Sequence, residues 1–330
     1  MATESTHKQL ARAMTSIEFD AHSFEESVGA GSFIYLFLYV FVVHKYHVLT
    51  QCTLKDVAEY LLYVRSLSHH CPFTNWVHTL DMLQIAVEAS SRFHTQPHTA
   101  ALMTPTCRFL LLLAVVSRNI DRAGFSRDYI ANTMHPLASL HGSEAPYENQ
   151  ASSVMLSLLR HFGLLRKLPL WTEPYLQDIV RSTNVPSIDS LRYIVRGSCV
   201  CERVPGAGPA GDTHELLRSL HHPESVDSKG QLLLGKVIAA VATIGSGVVE
   251  AKAGLIVPLR RKTLVDPKII MYTCQLEFSR DTVIPYLASV RRLSLRDKIE
   301  CLAAVMLPLL KQAIANRDMW ETLYKSSCPD

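Results

Sequence analysis

The chain has 330 residues, of which 48% are apolar and only 19% charged, with a formal net charge of +3. That is room for one large domain or two small ones, and the low charge fraction suits a large domain with much of its surface buried. A charge surplus this small, with no Lys/Arg block interleaved with aromatics, excludes a nucleic-acid-binding protein as the working reading.

The first residues, Met1 to Glu26, are polar and mixed in charge. They read as a tail or first helix, with residues 1–23 set apart from a helical domain at 24–330, and not as a signal peptide. The apolar run Phe33 to Val43 is too short to span a bilayer, which needs ~20 residues. Leu54, Val57, Tyr60, Leu61 and Val64 recur at steps of three and four and mark one helical face. Phe109, Leu112, Leu113 and Val116 repeat the pattern, as do Val154, Leu156, Leu158, Leu159 and Phe162. Connections carry Pro, Gly, Asn or Ser, as at His141-Gly142-Ser143, Asn184-Val185-Pro186 and Gly245-Ser246-Gly247. The longest irregular stretch, about 203–230, is expected to be a flexible loop. Its Gly206-Ala207-Gly208-Pro209-Ala210-Gly211 matches the dinucleotide-binding glycine pattern, but no strand pattern precedes it and Pro205 and Pro209 break it up. Leu232 to Val249 holds Lys236, Thr243 and the Gly-Ser-Gly, so it reads as a buried core helix and not a membrane span. Near the C-terminus Ile299, Leu302, Val305 and Leu309 form another helical stripe. Period-two alternation is hard to find, and the fold class expected is all-α: a single compact domain of many medium helices.

Chemistry-bearing residues are scattered. Eight cysteines form no CxxC pair and read as free thiols in a reducing, cytoplasmic setting. His44 and His47 lie three apart and His94 and His98 four apart, but no glutamate follows the first His as HExxH requires, and Pro97 interrupts the second pair. The pairs His69-His70 and His221-His222 face different ways on any helix. Surface or capping roles account for these histidines. There is no GxSxG elbow and no P-loop.

One ordered set of segments stands above this background. Tyr60-Leu61-Leu62-Tyr63-Val64 is followed by Pro72-Phe73-Thr74-Asn75-Trp76-Val77-His78-Thr79-Leu80-Asp81-Met82-Leu83-Gln84, then by Arg118-Asn119-Ile120-Asp121-Arg122-Ala123-Gly124. Further on come Leu137-Ala138-Ser139-Leu140 with Glu148-Asn149, then Ala240 to Gly247, then Gln275-Leu276-Glu277-Phe278 with Pro285, and finally Asn316-Arg317-Asp318-Met319-Trp320. In order and spacing this set resembles the catalytic domain of class I cyclic-nucleotide phosphodiesterases over roughly Phe24 to Ser326. The family pattern P-Y-H-N-x-x-H-A-x-D-x-x-Q is matched by Pro72, Asn75, His78, Asp81 and Gln84. Thr74 falls where the family carries the His that protonates the leaving group. The family's H-D-x-D-H-P-G is matched by Asp121 and Gly124, while Arg118 and Arg122 replace its histidines and Asn119 its metal-bridging Asp. Thr243 stands where H-C-A-D-x-S-N-P supplies the last metal ligand.

The resemblance implies an HD-type phosphodiesterase fold and, as ancestral activity, hydrolysis of 3',5'-cyclic nucleotides by two divalent cations sharing a bridging hydroxide. It also implies that the metal end of the pocket is degenerate at Thr74, Arg118, Asn119, Arg122 and Thr243, with His78 the one ligand left of the first metal's set. The chain contains no His-Asp dipeptide, so the family motif is not displaced to another register. General-acid catalysis, worth typically ~10²–10⁴-fold, is lost with the Thr74 position. The expectation is therefore no catalytic residue, no metal, no cofactor and no enzyme activity. Arg118 and Arg122 are expected to pair with Asp121, Glu148 and Asp81 in a buried ion network, since unpaired buried charge is costly.

The function that follows is a pseudoenzyme acting as a structural or scaffolding subunit. Its partners would be other protein subunits, such as an active phosphodiesterase or a cytoskeletal assembly. Two alternatives remain. One is a cyclic-nucleotide-binding regulator in which Gln275 bonds the purine and Phe278 stacks on it, as the resemblance implies. The other is a residual 3',5'-cyclic-nucleotide phosphodiesterase. No regulatory domain is read ahead of the phosphodiesterase-like region, so regulation is expected to come from partners or from the pocket.

Overall fold

A computed structural model describes residues 8, 10–12, 16, 19–29, 31–68, 75–95, 103–122, 125, 127–184, 234–243, 279–296 and 300–327. The described residues contain helices and turns and no strand. The helices are α1 Ala21–Val28, α2 Ser32–Val43, α3 Tyr46–Thr50, α4 Leu54–Ser66, α5 Trp76–Thr95, α6 Pro105–Ser117, α7 Arg127–Asn132, α8 Pro136–His141, α9 Pro146–His161, α10 Thr172–Ser182, α11 at 234–243, α12 Ile284–Arg296 and α13 Glu300–Ser327. A π-helical turn, Ser279–Val283, leads into α12. The all-α expectation holds, and no described helix is long and apolar enough to cross a membrane.

Helix α6 forms the centre. It starts on a Thr104 cap that accepts from the Cys107 amide at 3.2 Å, with Pro105 in the first turn, where a missing N–H costs nothing. Every residue from Cys107 to Ser117 is buried. A helix apolar all round has to be enclosed on all sides, and α3, α5, α9 and α10 pack against it. Helix α5 in turn carries α1, α2 and α13 on its outer flanks, and α12 and α13 form a hairpin.

Local signals place the ends. Thr53 and Asp56 make a reciprocal capping box at the start of α4. Along that helix Val57, Tyr60, Leu61 and Val64 are fully buried, whereas Leu54, in the first turn, is half exposed. Gly142 closes α8 with φ 81, a conformation costly for any residue with a Cβ. Helix α1 runs across residue 23, and Leu10 and Phe19 join the same core as Phe24. Gln84 donates to the Ser16 carbonyl at 2.6 Å, which fastens this N-terminal segment to α5. Cys52 and Cys107 are buried free thiols. The segment 203–230 and its glycine pattern, Ile299 and the pairs His69-His70 and His221-His222 lie outside the described residues.

The His44/His47 pair is not a metal pair in this fold. His44 ends α2, and its Nδ1 and Nε2 meet Nη1 and Nη2 of Arg108 at 3.2 and 2.9 Å. Arg108, 3% exposed within the apolar α6, also donates from Nε to Ser90 Oγ at 3.0 Å. His47 stays exposed and leans on the Phe41 ring.

Candidate functional site

Four elements meet at the position of the altered motif: the first turns of α5, the turn 118–122 after α6, the first turns of α9, and the C-terminal end of α10. Helix α5 starts on Asn75, whose Oδ1 accepts from the His78 amide at 3.0 Å. This cap sets the helical phase that buries His78, Thr79, Asp81 and Gln84, all below 7% exposure. Met82 lies one turn beyond His78 on the same helix.

Arg118 is the C-cap of α6 and is 7% exposed. Its Nε donates to Thr183 Oγ1 at 2.7 Å and its Nη2 to the Thr183 carbonyl at 3.3 Å. Nη1 donates to Asn119 Oδ1 at 3.2 Å and lies 3.9 Å from the Met82 sulfur. Thr183 caps the C-terminus of α10, where unsatisfied carbonyls carry the negative end of the helix dipole and favour a cation. Burial pushes the guanidinium down to about 10, with the neighbouring Arg122 adding to the fall and Glu148 opposing it. It is therefore still a cation at neutral pH.

Asn119 is 2% exposed and sits between two partners. Because a guanidinium has no acceptor, the amide oxygen faces Arg118 and the nitrogen faces Thr79 Oγ1, at 3.4 Å. Thr79 passes its own hydroxyl proton to the Asn75 carbonyl at 3.2 Å. On the other side Thr183 Oγ1 donates to the Val180 carbonyl at 2.6 Å. Thr183 and Asn119 thus each turn a lone pair toward Arg118, and Thr79 turns one toward the Asn119 amide.

Arg122 is about one quarter exposed. It pairs with Glu148 Oε1 at 3.3 Å and lies over the Tyr147 ring at 4.6 Å. Glu148 is in the first turn of α9, where a carboxylate suits the positive end of the dipole. Asp121 holds φ 56, a left-handed conformation that Asp tolerates better than most residues. Its amide donates to the Leu67 carbonyl at 2.8 Å, and its Oδ2 accepts from Gln150 Nε2. A turn of this shape is reason enough for an Asp at 121. Thr243, half-buried in α11, donates to the Ala239 carbonyl at 2.9 Å, one turn back in its own helix.

The structure thus brings Arg118 and Asn119 together with Thr79, Met82 and Thr183, and Arg122 together with Glu148. Of the expected ion network, the structure shows the Arg122–Glu148 pair at 3.3 Å. Among the described residues the hydrogen bonds of Arg118 go to neutral oxygens at a helix end, and the Glu148 charge acts on it without a direct bond. Thr74, Gln275 and Phe278 lie outside the described residues, as do the side chain of His94 and all of His98. Sequence reasoning did not select Thr79, Met82 or Thr183. The only local signal for Thr183 is its place at the end of a helical stripe, 65 positions from Arg118.

Residues 73–183 match the family model of the 3'5'-cyclic nucleotide phosphodiesterases. Among solved structures, the chain is similar to the phosphodiesterase domain of the RhoPDE fusion protein from the choanoflagellate Salpingoeca rosetta. That match has a TM-score of 0.70 and 15% identity, and covers 98% of this chain and 99% of the other. A second structure of the phosphodiesterase domain of Salpingoeca rosetta rhodopsin phosphodiesterase gives a TM-score of 0.70 at 16% identity, covering 98% and 95%. The fold is that of a phosphodiesterase catalytic domain, and the family signature runs through the segment that builds the polar centre.

Proposed function

We propose that this chain is a catalytically inactive phosphodiesterase-like protein that serves as a structural or scaffolding subunit of a larger assembly. The observation that carries the reading is the Arg118 guanidinium, buried in the altered motif and oriented by the neutral acceptors Thr183 and Asn119. The family's chemistry calls for divalent cations, and the residues at these positions do not fit them. A guanidinium is a donor with no lone pair to give and repels a metal ion. The Asn119 oxygen is engaged by Arg118 and its nitrogen by Thr79. The Thr243 hydroxyl is turned to its own helix. Among the described residues no three of His, Cys, Asp and Glu are grouped to hold a metal.

An assembly role is supported by the outer face of α2, where Tyr35, Val42 and Val43 stay about half exposed on a helix that is apolar all round. Tagged full-length chain, captured from native extract and run on size-exclusion chromatography, tests this part. The expected result is migration in a complex of fixed stoichiometry. Recovery as a monomer without partners would contradict the scaffolding role.

A further inference from the structure

We propose that the Arg118 guanidinium acts as a built-in replacement for a metal ion: a fixed cation that ties α5, the 118–122 turn and the end of α10, and makes this domain independent of divalent metals for its stability. The inference rests on the reading above that the centre holds no metal, and extends it from activity to folding.

Hydrogen-bond polarity distinguishes this centre from a metal site. A metal ion is held by lone pairs aimed at one point, usually with at least some anionic ligands. Here the lone pairs of Thr183 Oγ1, the Thr183 carbonyl and Asn119 Oδ1 converge on one guanidinium. The two threonine hydroxyls of this hydrogen-bond network, Thr183 and Thr79, donate to helix carbonyls at Val180 and Asn75. Such head-to-tail chains strengthen one another in a low-dielectric interior. The α10 C-terminus adds its dipole on the same side. Asn119 completes the device, because an amide can accept from Arg118 and donate to Thr79 at once, which a carboxylate cannot do. The tie also spans distant parts of the chain, since Thr183 lies 65 positions and Met82 36 positions from Arg118.

The test is thermal melting of the full chain with excess EDTA, and with titrated Mg²⁺ or Mn²⁺. We expect the wild-type Tm to hold within about 1 °C under all these conditions, whereas a metal bound only to the folded state would raise it by about 4 °C or more. Arg118→Ala is expected to lower Tm by about 5 °C, with no recovery on adding metal. If that variant yields no folded protein, Arg118→Lys decides: it keeps the charge without the fork, and is expected to melt lower than wild type and to ignore metal. A saturable metal-dependent rise in the wild type, or an Arg118→Lys or Arg118→Ala chain melting as the wild type does, overturns the inference. A saturable rise without cyclic-nucleotide turnover overturns metal independence alone. Turnover overturns the inactive reading as well.

Discussion

Thr183, at the end of α10, accepts the Nε–H of Arg118 at 2.7 Å across 65 positions of chain. A hydrogen bond to a charged group contributes about 1.5–3 kcal/mol, more than a neutral pair. Thr183→Val keeps the shape and removes the acceptor. We expect it to lower unfolding stability by about 2 kcal/mol in urea denaturation. A loss under about 0.5 kcal/mol, the scale of an ordinary surface change, would show that the tie is not needed.

Close packing between α11 and α10 sets a second expectation. A Cβ added at Gly235 falls 2.5 Å from the Tyr175 hydroxyl and 2.7 Å from Ile179 Cδ1. Both side chains are buried, so they have little room to move. Gly235→Ala is expected to cost about 1–3 kcal/mol through overpacking. Adding Tyr175→Phe, which removes the nearer atom, should recover part of that loss. A double variant no more stable than Gly235→Ala alone would place the strain elsewhere.

Alkaline pH should unfold the domain. Burial raises the phenols of Tyr46, Tyr60, Tyr175 and Tyr286 above their ordinary value of 10.0, Tyr46 to about 12. A group whose pKa is raised on folding contributes stability in full below its unfolded pKa and loses it as pH climbs through the folded value. Arg118 works the other way, since its value falls from 12.5 to about 10 and its burial penalty eases above that pH. One guanidinium does not offset four phenols. The expected result is a Tm that falls between pH 10 and 12, with phenolate absorbance and loss of helical circular dichroism rising together. Ionisation of those four phenols with the fold intact would contradict it.

Much of the fold is legible in the sequence because the helices carry their own punctuation. The apolar run of α6 has to be central, and Thr53, Asn75, Thr104 and Gly142 mark ends that the structure keeps. Leu54 breaks its stripe because a first-turn residue precedes the buried face. Pairings set only by the tertiary fold are not legible. His44 reads as a surface or capping histidine and does end α2, but its side-chain partner is Arg108, 64 positions away. At the centre, the altered residues Arg118 and Asn119 stand out by their place in the motif. Thr183 does not stand out in the sequence, because its link to Arg118 exists only in the tertiary fold, where a helix end and oriented hydroxyls add to the Glu148 charge. Asp121 matches the motif, and the structure adds that it holds a left-handed turn and accepts from Gln150.

Hydrolysis of 3',5'-cyclic AMP and 3',5'-cyclic GMP by the purified full chain, with Mg²⁺, Mn²⁺ or Zn²⁺ supplied, tests the inactive centre most directly. We predict no turnover of either nucleotide above the protein-free blank with any of the three metals. Metal-dependent turnover that disappears in a His78→Ala chain would contradict it.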